Sequence, residues 1–216
     1  MPDIFDEVEE DLRAERARKL WDRFGTPLLG LLLLVVAGVG GWQGWQWWET
    51  RERNAAAIAF MAAHRAAEAE GADLSALADR FADLSAASPA GYRTIETLRA
   101  AALKAETGDM AGALALYDRL AADTAVDPLY RDLASLLWVL RSLDSGDPAT
   151  LAARIAPLAQ AGQPWSASAR ELAALVALRQ GKAAEAKRAL EALANDVTAP
   201  RSIRDRAGRI ASGIAG

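Results

Sequence analysis

The pattern of hydrophobic and polar positions changes character once along the 216-residue chain. Residues 26–48, "TPLLGLLLLVVAGVGGWQGWQWW", carry no charge, and Gln43 and Gln46 are their only strongly polar members. A helix of 23 residues, rising about 1.5 Å per residue, covers the roughly 30 Å hydrocarbon core of a bilayer, so the run predicts a single transmembrane helix. A helix in a soluble core rarely needs an apolar circumference this long. A cleaved signal would have a shorter apolar region and a small-residue cleavage site. This run instead ends in Trp42, Trp45, Trp47 and Trp48, which suit the headgroup interface as anchors.

Beyond the run the period becomes helical. The chain is rich in Ala, Leu, Glu and Arg, glycine and proline fall mostly in short breaks, and no segment alternates as a strand does. The breaks recur as "GADLSALADRFADL" from Gly71, "GDMAGALALYDRLAAD" from Gly108, "GDPATLAARIAPLAQ" from Gly146 and "GKAAEAKRALEALAND" from Gly181, spaced by 37, 38 and 35 residues. A glycine that adopts the left-handed cap ends one helix, and a second helix starts two or three residues later. Five residues after each glycine stands Ala76, Ala113, Leu151 or Ala186, mostly small enough for close helix approach. Larger residues follow at Tyr117, Ile155 and Leu190, and again at Leu120, Leu158 and Leu193, which is the spacing of one buried stripe. The preceding helices carry stripes of their own, so hairpins must stack to bury both. The expected fold is all-α: residues 1–25 a cytoplasmic helical segment, 26–48 the transmembrane helix, and 49–216 a repeat domain closed by a C-terminal capping helix.

Flanking charge sets the expected orientation. Arg13, Arg16, Arg18, Lys19 and Arg23 precede the span and only Arg51 and Arg53 closely follow it, which predicts a cytoplasmic N-terminus and a repeat domain across the membrane, the periplasm in a Gram-negative cell. The absence of cysteine fits an oxidising compartment but adds little. Within the span Gly30, Ala37, Gly40, Gly41 and Gly44 share one side, either as a face for close helix packing or because glycine is common in spans. In the N-terminal segment the acidic residues from Asp3 to Asp11 precede the basic ones. Phe5, Val8, Leu12, Leu20 and Trp21 would then form one apolar side, for a cytoplasmic contact or only for fixing topology.

Charge and residue types narrow the function classes. The net charge is −4, yet residues 1–25 hold five basic and eight acidic residues, leaving 20 against 21 in the rest. A nearly neutral domain lacks the positive field that nucleic acid binding requires. Residues 179–216 carry eight basic and four acidic residues, Arg201, Arg204, Arg206 and Arg209 among them, read as the solvated face of a capping helix in preference to a docking patch. His64 is the only histidine and is expected to be structural or solvated, and no phosphate loop, nucleophile elbow or zinc motif occurs. No cofactor or metal is expected, and a binding protein is favoured over an enzyme.

Gly108, Ala113 and Tyr117, with Gly181, Ala186 and Leu190 in the same register, resemble a degenerate tetratricopeptide motif. The tryptophan and Leu-Gly pair of the first helix are missing, and the proline after the second appears only approximately, as Pro89, Pro128, Pro164 and Pro200. With "FDEVEEDLRAERARKLWDRFG" and one span before the repeats, the chain resembles the ancillary SecYEG translocon subunits, inner-membrane proteins with a periplasmic tetratricopeptide-like domain. The resemblance implies protein partners, namely translocon components and periplasmic chaperones to which exported chains are passed. A second reading is an assembly factor of a cell-envelope or division complex that acts by self-association.

Overall fold

In the computed structural model the backbone of residues 4–214 is described, with the side chains of Arg18, Trp21 and residues 27–214. The fold is all-α, and no strand occurs among the described residues. The helices are α1 (Ile4–Ala67), α2 (Leu74–Ala87), α3 (Ala90–Glu106), α4 (Met110–Ala122), α5 (Pro128–Arg141), α6 (Pro148–Ile155), α7 (Ser166–Arg179), α8 (Ala183–Ala194) and α9 (Arg201–Gly213). The chain divides into two units, Met1–Glu52 and Arg53–Gly216.

In the first unit, α1 contains a stretch long and apolar enough to cross a membrane, with a mean hydropathy of 1.7 and none of it buried. Gly30, Ala37, Gly40, Gly41 and Gly44 are all exposed, and a Cβ added at any of these four glycines meets nothing within 4 Å. Nothing among the described residues therefore requires glycine at these positions. Trp42, Trp45, Trp47 and Trp48 are exposed too; the Trp45 and Trp48 rings lie 5.8 Å apart and the Arg51 guanidinium sits 5.4 Å over Trp47. Trp21 is exposed, whereas Phe5, Val8, Leu12 and Leu20 lie outside the described side chains.

In the second unit the end of α1 and α2, α3 and α4, α5 and α6, and α7 and α8 form hairpins, with α9 as a final single helix. Aspartates start four of these helices: Asp73, Asp109, Asp127 and Asp147 accept hydrogen bonds from the backbone N–H groups of Ala76, Gly112, Leu129 and Thr150. Pro128 and Pro148 stand in first turns, where no intrahelical N–H is needed.

The core consists of four clusters, each built by a first helix, its second helix and the next first helix. Ala101, Ala113, Tyr117, Leu120 and Ala134 form one; Val139, Leu151, Ile155, Leu158, Leu172 and Val176 the next; Ala174, Ala186, Leu190, Leu193, Ile203, Ala207 and Ala211 the last. Successive residues of α3 serve different clusters, Ala100 facing Phe81 and Ala101 facing Tyr117. First helices must therefore be apolar on two faces. Successive first helices α3, α5, α7 and α9 touch directly, while the backbones of α2, α4, α6 and α8 do not come within 8 Å of one another. First helices thus form the inner row of the stack and second helices the outer row.

Two expectations about the repeat register change. At the first turn Ala76 is exposed and Ala78 is buried with Phe81; here the capping Asp73 follows Gly71 by two residues, whereas Asp109 and Asp147 follow Gly108 and Gly146 by one. Gly108 and Gly181 have φ of 91° and 77° and act as left-handed caps, but Gly146 has no positive φ. Its glycine serves close approach instead: an added Cβ would stand 2.9 Å from the Ser142 carbonyl oxygen, whose hydrogen bond from the Gly146 N–H closes the turn at 2.7 Å.

Glu96 is the exception in the core. It shares the buried stripe of Ala100 and Leu103, is 0% exposed, and neither carboxylate oxygen makes a hydrogen bond of ordinary geometry. Burial pushes its pKa up, opposed in part by the Ser88 hydroxyl. The folded chain then holds a proton that the unfolded chain releases above about pH 4.3, so stability falls as pH rises through the interval above that value.

Two outcomes are expected. Thermal melts of Glu96→Gln should show a flatter pH dependence and a gain of about 1 kcal/mol near pH 8 that vanishes near pH 4. An unchanged slope would mean that Glu96 is solvated as a carboxylate. Ala78→Leu should cost about 1–3 kcal/mol by overpacking, whereas Ala76→Leu should stay within about 0.5 kcal/mol. Denaturant titration of both variants checks the register.

A groove on the inner row

The inner row leaves apolar side chains uncovered where α5, α7 and α9 pass one another. Leu136 and Leu140 of α5, Ser168, Glu171, Leu172 and Leu175 of α7, and Arg206 and Ile210 of α9 line a groove of about 370 Å³. The spacing explains the lining: Leu136 and Leu140, Leu172 and Leu175, and Arg206 and Ile210 are each three or four apart, one turn along a single helix face. Leu140 is 44% exposed although large and apolar.

One charged pair lies in the groove. The Arg206 Nε and Nη2 donate to Oε1 and Oε2 of Glu171, a two-point pairing between α9 and α7. The Glu171 side chain is 6% exposed and that of Arg206 51%, so the acid is buried and the guanidinium faces outward. The reading of Arg206 as part of a merely solvated face is thereby corrected. Behind the groove Asp196 holds the α8–α9 turn to α7. The Thr198 hydroxyl, with Arg170, lowers its pKa to about 2, so it remains ionised through the neutral range.

A larger hollow of about 590 Å³ lies between α2, α3 and α4. Its polar groups are turned inward: the Ser85 and Thr97 hydroxyls donate to the Ala82 and Arg93 carbonyls at 2.7 and 2.8 Å, and Arg93 donates to the Ser88 carbonyl at 3.3 Å. Asp83, Arg119 and Asp123 give it mixed charge. The groove on the inner row offers the better docking surface, because exposed leucines gain from being covered.

The remaining residues singled out from sequence take packing positions. Ala113, Tyr117, Ala186 and Leu190 are fully buried between hairpins, and Gly108 and Gly181 cap α3 and α7. His64 stacks on Phe60 at 5.9 Å, with Nε2 3.4 Å from Glu68. Among the described residues no group of three or more His, Asp or Glu could hold a metal. Sequence reasoning did not find the groove leucines or the Glu171–Arg206 pair; the two partners are 35 residues apart, one repeat, and that interval was the available signal.

Stacked helical hairpins with an exposed groove on their inner row define a repeat protein of the solenoid class. The chain belongs to the tetratricopeptide repeat-like domain family, which matches residues 18–205. Domains of this kind suggest a scaffold for protein–protein interaction. No curated protein and no solved structure matches the chain.

The pair can be tested by a double-mutant cycle. Arg206→Leu should cost about 2 kcal/mol by leaving the buried Glu171 carboxylate unpaired, and E171L/R206L should recover most of it. Additive losses in urea melts would show that the pair is uncoupled.

Proposed function

We propose that the protein is a membrane-anchored, non-enzymatic scaffold that binds other proteins through the groove on its inner row. The observation that carries this reading is the groove in which Leu140 is exposed and Leu175 half-buried over the buried Leu136 and Leu172, in a domain of the tetratricopeptide repeat-like family. In the proposed arrangement residues 26–48 cross a bacterial inner membrane, residues 1–25 stay in the cytoplasm and residues 49–216 lie in the periplasm. Five basic residues before the span against two just after it support this orientation. The tryptophans would anchor the span at the interface, and the small-residue side, from Gly30 to Gly44, would pack against a membrane partner.

The finer reading is an ancillary role at the protein-export channel, passing emerging chains to periplasmic chaperones. The order of acidic-then-basic segment, span and repeats supports it. The alternative is an assembly factor for an envelope or division complex, with self-association of the chain as one mode of assembly.

A photoreactive phenylalanine derivative at Leu140 or Leu175, introduced into the full-length protein in cells, should give protein adducts that the same residue at the exposed outer-row position Glu191 does not. Mass spectrometry of the adducts separates translocon components and chaperones from division or envelope proteins. No adduct from either groove position would overturn the groove as the binding surface.

A further inference from the structure

The groove presents the opposite polarity to two pairs that join second helices to their neighbours. In Lys104–Asp79 and Arg154–Asp118 the cation is the sheltered partner and the carboxylate is 69% or 65% exposed. In Arg206–Glu171 the acid is buried and the cation is exposed, inside a wall of leucines. Resting on the scaffold reading above, we propose that this groove selects a peptide segment in which large apolar side chains flank an aspartate or glutamate, and that Arg206 is the residue that reads the carboxylate.

The chemistry follows from the donor inventory. A guanidinium has five N–H donors, and Glu171 uses one at Nε and one at Nη2, leaving one at Nη2 and two at Nη1. Those donors are held in place by the buried carboxylate, so little side-chain entropy remains to be lost when a second carboxylate docks. The Arg206 side chain is 51% exposed, so these remaining donors are open to a ligand. No other acid lines the groove. A lysine-bearing peptide would meet Arg206 without a free carboxylate, whereas an acidic one gains a charge-assisted hydrogen bond in apolar surroundings. Leu136, Leu140, Leu172 and Leu175 stand on the two helices beyond Arg206, so the apolar side chains of the ligand would lie over α5 and α7 and its carboxylate toward α9.

The probes are three fluorescent leucine-rich peptides, capped at both ends and identical except for one central Glu, Gln or Lys. They are titrated by anisotropy against the full chain in nanodiscs of zwitterionic lipid. The Glu peptide should bind about tenfold tighter than the Gln peptide and the Lys peptide weakest. E171Q/R206Q, which removes both charges without stranding either, should bind the Glu and Gln peptides equally. Equal binding of all three peptides by the wild type would overturn the proposal whether or not the variant folds, as would a Glu preference that survives in E171Q/R206Q. Binding of none would also overturn it. Adducts at Leu140 and Leu175 then tell whether the scaffold reading falls with it or only the preference for acid.

Discussion

A helical hairpin has two apolar faces to hide and only one partner helix to hide them with, and the repeat domain is organised by that deficit. Each first helix closes the cluster behind it and opens the one ahead: Ala134 packs with Tyr117 while Val139 of the same helix packs with Leu151 and Ile155. Each cluster therefore needs residues from three helices, and removing any hairpin exposes the faces of two neighbours. α9 buries one face, Ile203, Ala207 and Ala211, and turns Arg201, Asp205 and Arg209 outward.

Polar groups follow the same repeat interval. Trp165 Nε1 donates to the Leu129 carbonyl at 2.9 Å, Arg154 reaches Asp118 at 2.7 Å, Arg179 donates to the Leu143 and Gly146 carbonyls, and Arg206 pairs with Glu171. These partners are 33 to 36 residues apart, so each tie joins neighbouring hairpins rather than the helices of one. Apolar burial holds the stack together without direction, and the ties fix its rotation. Glu96 has no such tie, and a carboxyl with raised pKa is the consequence.

How much of this was legible in the sequence depends on how many faces a helix buries. The second helices bury one face, so Ala113, Tyr117 and Leu120, and Ala186, Leu190 and Leu193, stand at the spacing of one stripe and could be read directly. The first helices bury two faces and expose part of a third. α7, "SARELAALVALR" from Ser168, is apolar around most of its circumference, and the groove residues Leu172 and Leu175 do not stand out from Ala174 or Val176, which are buried. Counting five residues from a glycine worked at Gly108, Gly146 and Gly181 and failed at Gly71, where the capping Asp73 stands two residues after the glycine instead of one, as Asp109 and Asp147 do. The electrostatics of the groove were hidden for another reason. Arg206 looks like one of several exposed arginines until the fold brings it to Glu171, and no local charge pattern records a partner one repeat away.

The proposed groove and anchor would complement each other energetically. A hollow of about 370 Å³ with one fixed cation covers only a few side chains of a ligand, and contacts of that size give modest affinity once the ordering of the peptide is counted. A domain tethered to a membrane, as proposed for this one, would not need more. If its partners are held at or pass through the same membrane, the tether replaces three-dimensional search with a high local concentration, and weak contacts suffice for occupancy while still releasing quickly. A scaffold that received chains and passed them on, as in the proposed role, would depend on that release. Leaving the first helices partly uncovered, instead of closing the groove with one more layer, would be the structural condition for it.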